Sequence, residues 1–576
     1  MLENDFVVPW SIGGSQGRAP YLVATMTNAI RDMVVAVTAT AIALLTAGCG
    51  GGGGSGGNTA LTARQACDAL SSAKVDASRI ALPTRGAGVV STRLVAAGAP
   101  GNTDGEYCQV DGKISPIDPV AQEITFEVRL PSAWNNKALQ VGGGSWDGAI
   151  PIGNEANRVV RGAAAAPLAR GYAVFGSDSG HADAQGLDAS FAVNDEQLAN
   201  FGGDQLKKTR DVVIAILQQR YGKVPAKTYF VGLSNGGREA LVAVQRFPAD
   251  YDAVLALFPP PAWTPLFMKL NQVARAMFAN NGAGWIGSSK AAFLNQSVVT
   301  ACDASDGAID GIVSNPSCTF DYRSLRCPGG ADAGSNCFSD PQLKTLDVLF
   351  QNLSLPYALA NGIDSFGPFS LSANFNSDLN VLGSTPTPAL MPISPPEVGL
   401  MAYFSDGLMR YAVTRNPALV PFSFDETQPM AYLPRLQTVS NILDATNPDI
   451  SAFKQRGGKL MIVHGGADEL VPASGTAVWY QQVVARFGQA ETDTFLRFYI
   501  VPGLAHGGGG AFGFSGDLVS AMEQWSEVGV APANLTGTDA NPASAGRTRP
   551  LCAYPTWPKY IGGSVDAASS YSCVTQ

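Results

Sequence analysis

Short apolar runs recur along the chain at Glu123–Leu130, Lys137–Val141, Ala173–Ser177, Lys227–Val231, Ala253–Phe258, Lys459–Val463 and Phe495–Val501. Runs of this length, rich in β-branched and aromatic residues, predict buried strands. Between several of them the apolar spacing becomes helical. In Gln205–Tyr221, for instance, Leu206, Val213, Ile214 and Leu217 fall on one face. Strands alternating with helices predict an α/β architecture around a mostly parallel sheet. The pattern breaks between residues 259 and 445, which are rich in Pro, Ser, Asn, Gly and Cys and hold few long apolar runs. This segment reads as a loop-heavy insertion with a helical stretch at Gln342–Leu353. The expected organisation is therefore a leader (1–57), a core domain in two pieces (58–258 and 446–576) and an inserted lid (259–445).

The leader has its own pattern. Met33–Gly48 is uncharged and apolar, with Arg31 just upstream. It is short for a bilayer span and reads as the apolar region of a signal peptide. It ends in Leu45-Thr46-Ala47-Gly48-Cys49, which resembles a bacterial lipobox and makes Cys49 the expected lipidation site. Thr46 stands where an aliphatic residue is usual, so an ordinary cleaved signal peptide is the alternative. Gly50–Gly57 follows as a flexible tether. Export gives the nine cysteines a meaning. Without Cys49 they are even in number, and disulfides are the default in an oxidising compartment. Proximity suggests Cys67–Cys108, Cys302–Cys318, Cys327–Cys337 and Cys552–Cys573, although sequence alone leaves the connectivity open. The net charge of −9 and a charged fraction of 15%, without a basic block, exclude nucleic acid as a partner.

The chemistry centres on Gly232-Leu233-Ser234-Asn235-Gly236. This Gly-x-Ser-x-Gly lies between a predicted strand and a predicted helix (Arg238–Phe247), the context of a nucleophile elbow. The chain has three histidines. His506 follows the last predicted strand, where the general base of such an enzyme belongs; His464 and His181 are the alternatives. Asp468, on the loop after Lys459–Val463, is the expected acid, with Glu469 and Asp493 as rivals. The interval from Ser234 to Asp468 is far longer than one or two βα units of roughly 30 residues each, so the surplus should form a lid over the site. The amide of Asn235 is the expected first oxyanion donor. A second should come from Gly142–Gly148, at Ser145 or Gly144. This glycine loop lacks the Gly-Lys-Ser/Thr of a phosphate loop. In the insertion, Asp303, Asp306 and Asp310 are spaced either to hold a hard cation or to make a solvated acidic turn.

The elbow Gly232–Glu239, the Arg246-Phe-Pro-x-x-Tyr-Asp252 that follows and the tail Arg547-Thr-Arg-Pro-Leu-Cys552 together resemble the tannase and feruloyl esterase family. The resemblance runs from about Cys67 to Cys573. It implies an α/β-hydrolase core with a large lid, a triad of Ser234, Asp468 and His506, and structural Ca2+ held by Asp303, Asp306, Asp310 and the carbonyls of Ala308 and Ile312. It also implies the four disulfides above. Family members typically have a further bridge beside the catalytic serine and histidine. Here those positions are Leu233 and Gly507, so the His506 loop is expected to be held by packing and to be looser.

The implied activity is hydrolysis of a small-molecule carboxylic ester, an aromatic-acid ester such as a ferulate or gallate. Terephthalate monoesters and short aliphatic esters are alternatives. Arg410 and Arg415 align poorly with a carboxylate-recognising arginine. Trp263, Phe267, Phe404 and Tyr411 are candidates to line an aromatic pocket. No organic cofactor is implied, and any membrane association would run through the anchor. An acyltransferase with the same triad and a catalytically silent binding lipoprotein are the competing readings.

Overall fold

The computed structural model describes residues 61–153, 162, 165–533 and 535–575. The expected leader, tether and Cys49 lie outside the described residues. β1 (Lys74–Val75), β2 (Ala87–Val95), β3 (Tyr107–Ile114), β4 (Ile124–Pro131), β5 (Lys137–Val141), β6 (Ala173–Ser177), β7 (Lys227–Leu233) and β8 (Ala253–Leu257) come first. β9 (Leu353–Ser354) and β10 (Ser365–Phe366) pair as a small ribbon, followed by β11 (Lys459–Gly465) and β12 (Leu496–Val501). Ten of these strands form one sheet in the order β1-β2-β3-β4-β6-β5-β7-β8-β11-β12.

The sheet is mixed, which corrects the expectation of a mostly parallel one. β6, β5, β7, β8, β11 and β12 are parallel, whereas β1 to β4 run antiparallel and join at β4–β6. β2 is half solvated, with Ser91, Thr92 and Arg93 among its residues, so it carries no continuous apolar signal.

The parallel half follows directly from its sequence. Strands covered on both faces must be apolar at every position. Tyr229, Val231 and Leu233 of β7, with Leu255, Leu257, Met461 and Val463, face the helix from Leu518, including Val519, Met522 and Trp525. Phe230, Val254, Ala256, Leu460 and Ile462 face the other way, onto Leu241 and Val244 of the helix Asn235–Arg246 and onto Trp479 and Val483.

Residues 259–445, between β8 and β11, are more helical than their composition suggests. They contain helices Trp263–Gly282, Ser288–Cys302, Asp340–Phe350, Leu400–Gly407 and Leu433–Leu443. The first is hidden from a periodicity reading because every residue from Trp263 to Asn271 is buried. A helix covered all round has no polar stripe to reveal it. The apolar cluster of this segment continues into Trp146, Phe191, Phe201, Leu470 and Val471, which come from the segments between the sheet strands. The disulfides are Cys67–Cys108, Cys302–Cys318, Cys327–Cys337 and Cys552–Cys573.

Arg238 binds these parts together. It is fully buried, and its guanidinium donates to the carbonyls of Phe201 (2.8 Å), Gly202 (3.3 Å) and Leu443 (3.0 Å) and to Asn235 Oδ1 (2.7 Å). The rings of Phe201 and Trp263 flank it at 4.8 and 5.1 Å. Arg238→Met would strip the guanidinium donors from those carbonyls in a dry site, leaving Gly202 O only its bond from Arg246 (3.3 Å). It should lower the free energy of unfolding by about 3 kcal/mol or more, measured by urea denaturation.

Candidate active site

Ser234 lies between the end of β7 and the helix Asn235–Arg246, with φ 60° and ψ −119°. That backbone is costly for a residue with a side chain. Two glycines make room for it. A Cβ on Gly232 would stand 2.2 Å from the Gly236 carbonyl oxygen, and one on Gly236 would stand 2.6 Å from that of Gly143. The Ser234 amide donates to Leu257 O on β8 (2.9 Å), which fixes the elbow to the neighbouring strand.

The structure brings Ser234, His506 and Asp468 into one chain of hydrogen bonds. Ser234 Oγ lies 3.0 Å from His506 Nε2, and His506 Nδ1 lies 2.8 Å from Asp468 Oδ2. Asp468 is buried, and its Oδ1 accepts the amides of Leu470 and Val471 at 2.9 and 2.7 Å. Burial would push its carboxyl up, but the adjacent His506 and His464 outweigh that and hold it well below the usual carboxylate range.

The rival residues are engaged with other partners. His464 is fully buried, with Nε2 at the Val471 carbonyl (2.7 Å) and Nδ1 3.1 Å from Thr476 Oγ1. His181 stacks on Phe191 and bonds the Trp146 carbonyl (2.7 Å). Asp493 pairs with Arg497 (3.0 Å) on the short helix before β12. Glu469, by contrast, accepts the His506 amide (3.1 Å).

The family model for tannase and feruloyl esterase matches residues 108–574. The chain belongs to the tannase and feruloyl esterase family. An uncharacterized esterase of Agrobacterium fabrum is 38% identical, over 88% of this chain and 92% of its own. A mono(2-hydroxyethyl) terephthalate hydrolase of Piscinibacter sakaiensis is 28% identical, over 81% and 85%. The crystal structure of feruloyl esterase B from Aspergillus oryzae superposes with a TM-score of 0.73 at 23% identity, covering 89% of this chain and all of that one. This likeness shows the α/β-hydrolase fold. As a family member, the protein is a carboxylic ester hydrolase.

In this tannase-family enzyme a narrow cleft beside the nucleophile is lined by Ser145, Ser234, Trp263, Leu266, Phe267, Leu270, Phe404, Leu470 and Val471. Three of the four candidate aromatics reach it. Tyr411 is not among the lining residues and packs against the apolar cluster instead. Arg410 is turned away, its guanidinium forked onto both oxygens of Asp406 (2.8 and 3.0 Å), and Arg415 pairs with Asp195.

The loop carrying Gly144 and Ser145 rests on a buried acid network that sequence reading missed. Gly143 donates to Glu239 Oε2 (2.9 Å), Gly236 donates to Gly143 O (3.1 Å), and Asp147 accepts Asn235 Nδ2 (2.8 Å) and the Ser179 hydroxyl (2.7 Å). Burial, then the nearby Asp147 charge, hold the Glu239 carboxyl well above its ordinary value. Asp147 carries no motif of its own, so only the fold reveals it.

Leu233 and Gly507, which stand where the further bridge would be, both line a small apolar cavity with Phe258, Leu504 and Leu518. At the acidic loop, Asp303 accepts the Asp310 and Gly311 amides, Asp306 accepts those of Ala308 and Ser314, and Asp310 pairs with Arg549 and Tyr571. Among the described residues no three acidic, histidine or cysteine side chains converge as a ready metal cage. The donor type still suits a hard cation. Burial, and after it the Asp310 charge, raise the carboxyl of Asp306, which is the electrostatic need a divalent cation would meet.

The elbow geometry gives a direct check. Gly232→Ala has no room for its methyl group against the Gly236 carbonyl. Soluble folded protein should be largely lost on expression, followed by yield and circular dichroism.

Proposed function

We propose that the protein is an exported serine esterase acting on uncharged, aromatic-acid esters through Ser234, His506 and Asp468. The observation that carries this is the hydrogen-bonded run Ser234–His506–Asp468, opening onto a cleft walled by apolar and aromatic side chains. His506 Nε2 takes the Ser234 proton as Oγ attacks the ester carbonyl, while Asp468 keeps Nδ1 protonated and stabilises the imidazolium. The amides of Asn235 and of Ser145 or Gly144 are the proposed donors to the tetrahedral oxyanion. Ser145 lines the same cleft as Ser234, which supports that assignment. His506 then returns its proton to the departing alcohol, and water activated by the same ring releases the acid from Ser234. Activity requires neutral His506, so kcat/KM should fall as pH drops through the pKa of that ring.

The cleft also selects. None of its lining residues is a lysine or arginine, and Arg410 is committed to Asp406. A terephthalate monoester would bring an uncompensated carboxylate into this cleft, at a substantial cost. A ferulate-type ring presents no such charge. The disulfides fit an oxidising compartment, and a periplasmic or lipid-anchored placement belongs to this proposal together with the leader.

The test is turnover of p-nitrophenyl butyrate, methyl ferulate and monomethyl terephthalate by the protein from Ala60 onward. Ser234→Ala should lower kcat by at least about a thousandfold. Methyl ferulate should exceed the terephthalate monoester in kcat/KM by about tenfold or more. Equal turnover by the wild type and Ser234→Ala would remove the triad reading.

Structural Ca2+ is proposed at the acidic loop, held by Asp303, Asp306 and Asp310 with the carbonyls of Ala308 and Ile312. Melting should occur several degrees lower in EGTA than in millimolar calcium, and Asp306→Asn should abolish the difference. Identical melting curves in both buffers would argue for the bare acidic turn.

A further inference from the structure

The turn after β11 does three things in four residues. Asp468 reaches the base, Leu470 and Val471 line the cleft, and Glu469 points to the loop that carries the base. Glu469 is fully buried. Its Oε2 accepts the His506 amide (3.1 Å), and the Ser377 hydroxyl faces the carboxylate as a second donor. The groups facing it are Asp468 on its own turn, His506 across from it and the buried Ser377 hydroxyl of the inserted segment; His464 lies 3.4 Å from Asp468 on the far side. Ala467 anchors the same turn at both ends, donating to Leu504 O and accepting from the Asn374 amide, both at 3.0 Å. No disulfide joins the serine and histidine loops here, because Leu233 and Gly507 occupy the flanking positions.

We infer that Glu469 is a positioning residue for the base: it clamps the His506 loop to the acid turn and places a second negative charge beside the imidazole. This rests on the triad reading. The clamp works through one charge-assisted hydrogen bond to the backbone of the base itself. The charge acts on proton affinity, since a carboxylate near the ring favours the imidazolium. Burial, then the Asp468 charge, push the Glu469 carboxyl up to about 7. Glu469 therefore ionises near neutrality, and its ionisation is coupled to the protonation of the imidazole it faces. A carboxylate that gains charge as pH rises holds the imidazolium longer, so the acidic limb should be broader than a one-proton curve.

The experiment is kcat and kcat/KM for p-nitrophenyl butyrate from pH 5 to 9 in the wild type, Glu469→Gln and Glu469→Leu, with Ser234→Ala alongside. Glu469→Leu removes the acceptor and should lower plateau kcat about tenfold or more. Glu469→Gln restores an acceptor for the His506 amide and should recover most of that loss. Its acidic limb should narrow to one proton and move to lower pH by about half a unit or more. A Glu469→Gln profile superimposable on the wild type, or full plateau activity in Glu469→Leu, would overturn the inference and leave the triad standing. If Glu469→Leu does not fold, the Glu469→Gln profile decides alone. Turnover that persists in Ser234→Ala would instead strike the triad reading itself.

Discussion

A single buried guanidinium sets the geometry on which this esterase depends. Arg238 occupies the first turn of the elbow helix, yet its donors satisfy carbonyls at Phe201, Gly202 and Leu443, from segments distant in sequence. Burial lowers its pKa to about 10, still far above neutrality. A full positive charge is therefore kept in the dry interior, and the surrounding carbonyls, Asn235 and nearby acids must stay in place to stabilise it. Because Arg238 also holds Asn235, the residue after the nucleophile is oriented by the same contact that joins the inserted helices to the core.

The acid and base are arranged by a different principle. Asp468 is buried, but two backbone amides and two imidazoles face its oxygens. Its charge thus survives where an isolated carboxylate would take up a proton. The neighbouring Glu469 has fewer donors and a like charge beside it, and its carboxyl moves the other way. Adjacent residues of the same chemical type are driven apart by their surroundings alone.

What could be read from the sequence follows from where the constraint lies. The elbow announces itself because Gly232 and Gly236 answer a local steric demand, and local demands leave local motifs. The buried parallel strands announce themselves because both of their faces are apolar. β2 does not, since its exposed side carries Ser91 and Arg93 within an antiparallel edge. The helix from Trp263 gave no stripe because it is buried all round. Asp147, within the loop of Ser145, and Glu239, beneath it, fix that loop through contacts between residues far apart in sequence, a relation that no spacing encodes. Glu469 could be noticed as an acid beside Asp468, but its partner, the His506 amide, is visible only in three dimensions.

The disulfides have a bearing on how the molecule is made. Each of the four joins a cysteine to the next described one along the chain, with separations of 41, 16, 10 and 21 residues. A polypeptide threading into an oxidising space presents its thiols in order, so pairing each with its successor is the outcome that simple vectorial oxidation yields. A bridge between the positions of Leu233 and Gly507 would have to wait across the whole inserted segment, while the thiols of Cys302, Cys318, Cys327 and Cys337 competed for the first partner. With leucine and glycine at those two positions, the chain can reach its native set of crosslinks without a reshuffling step.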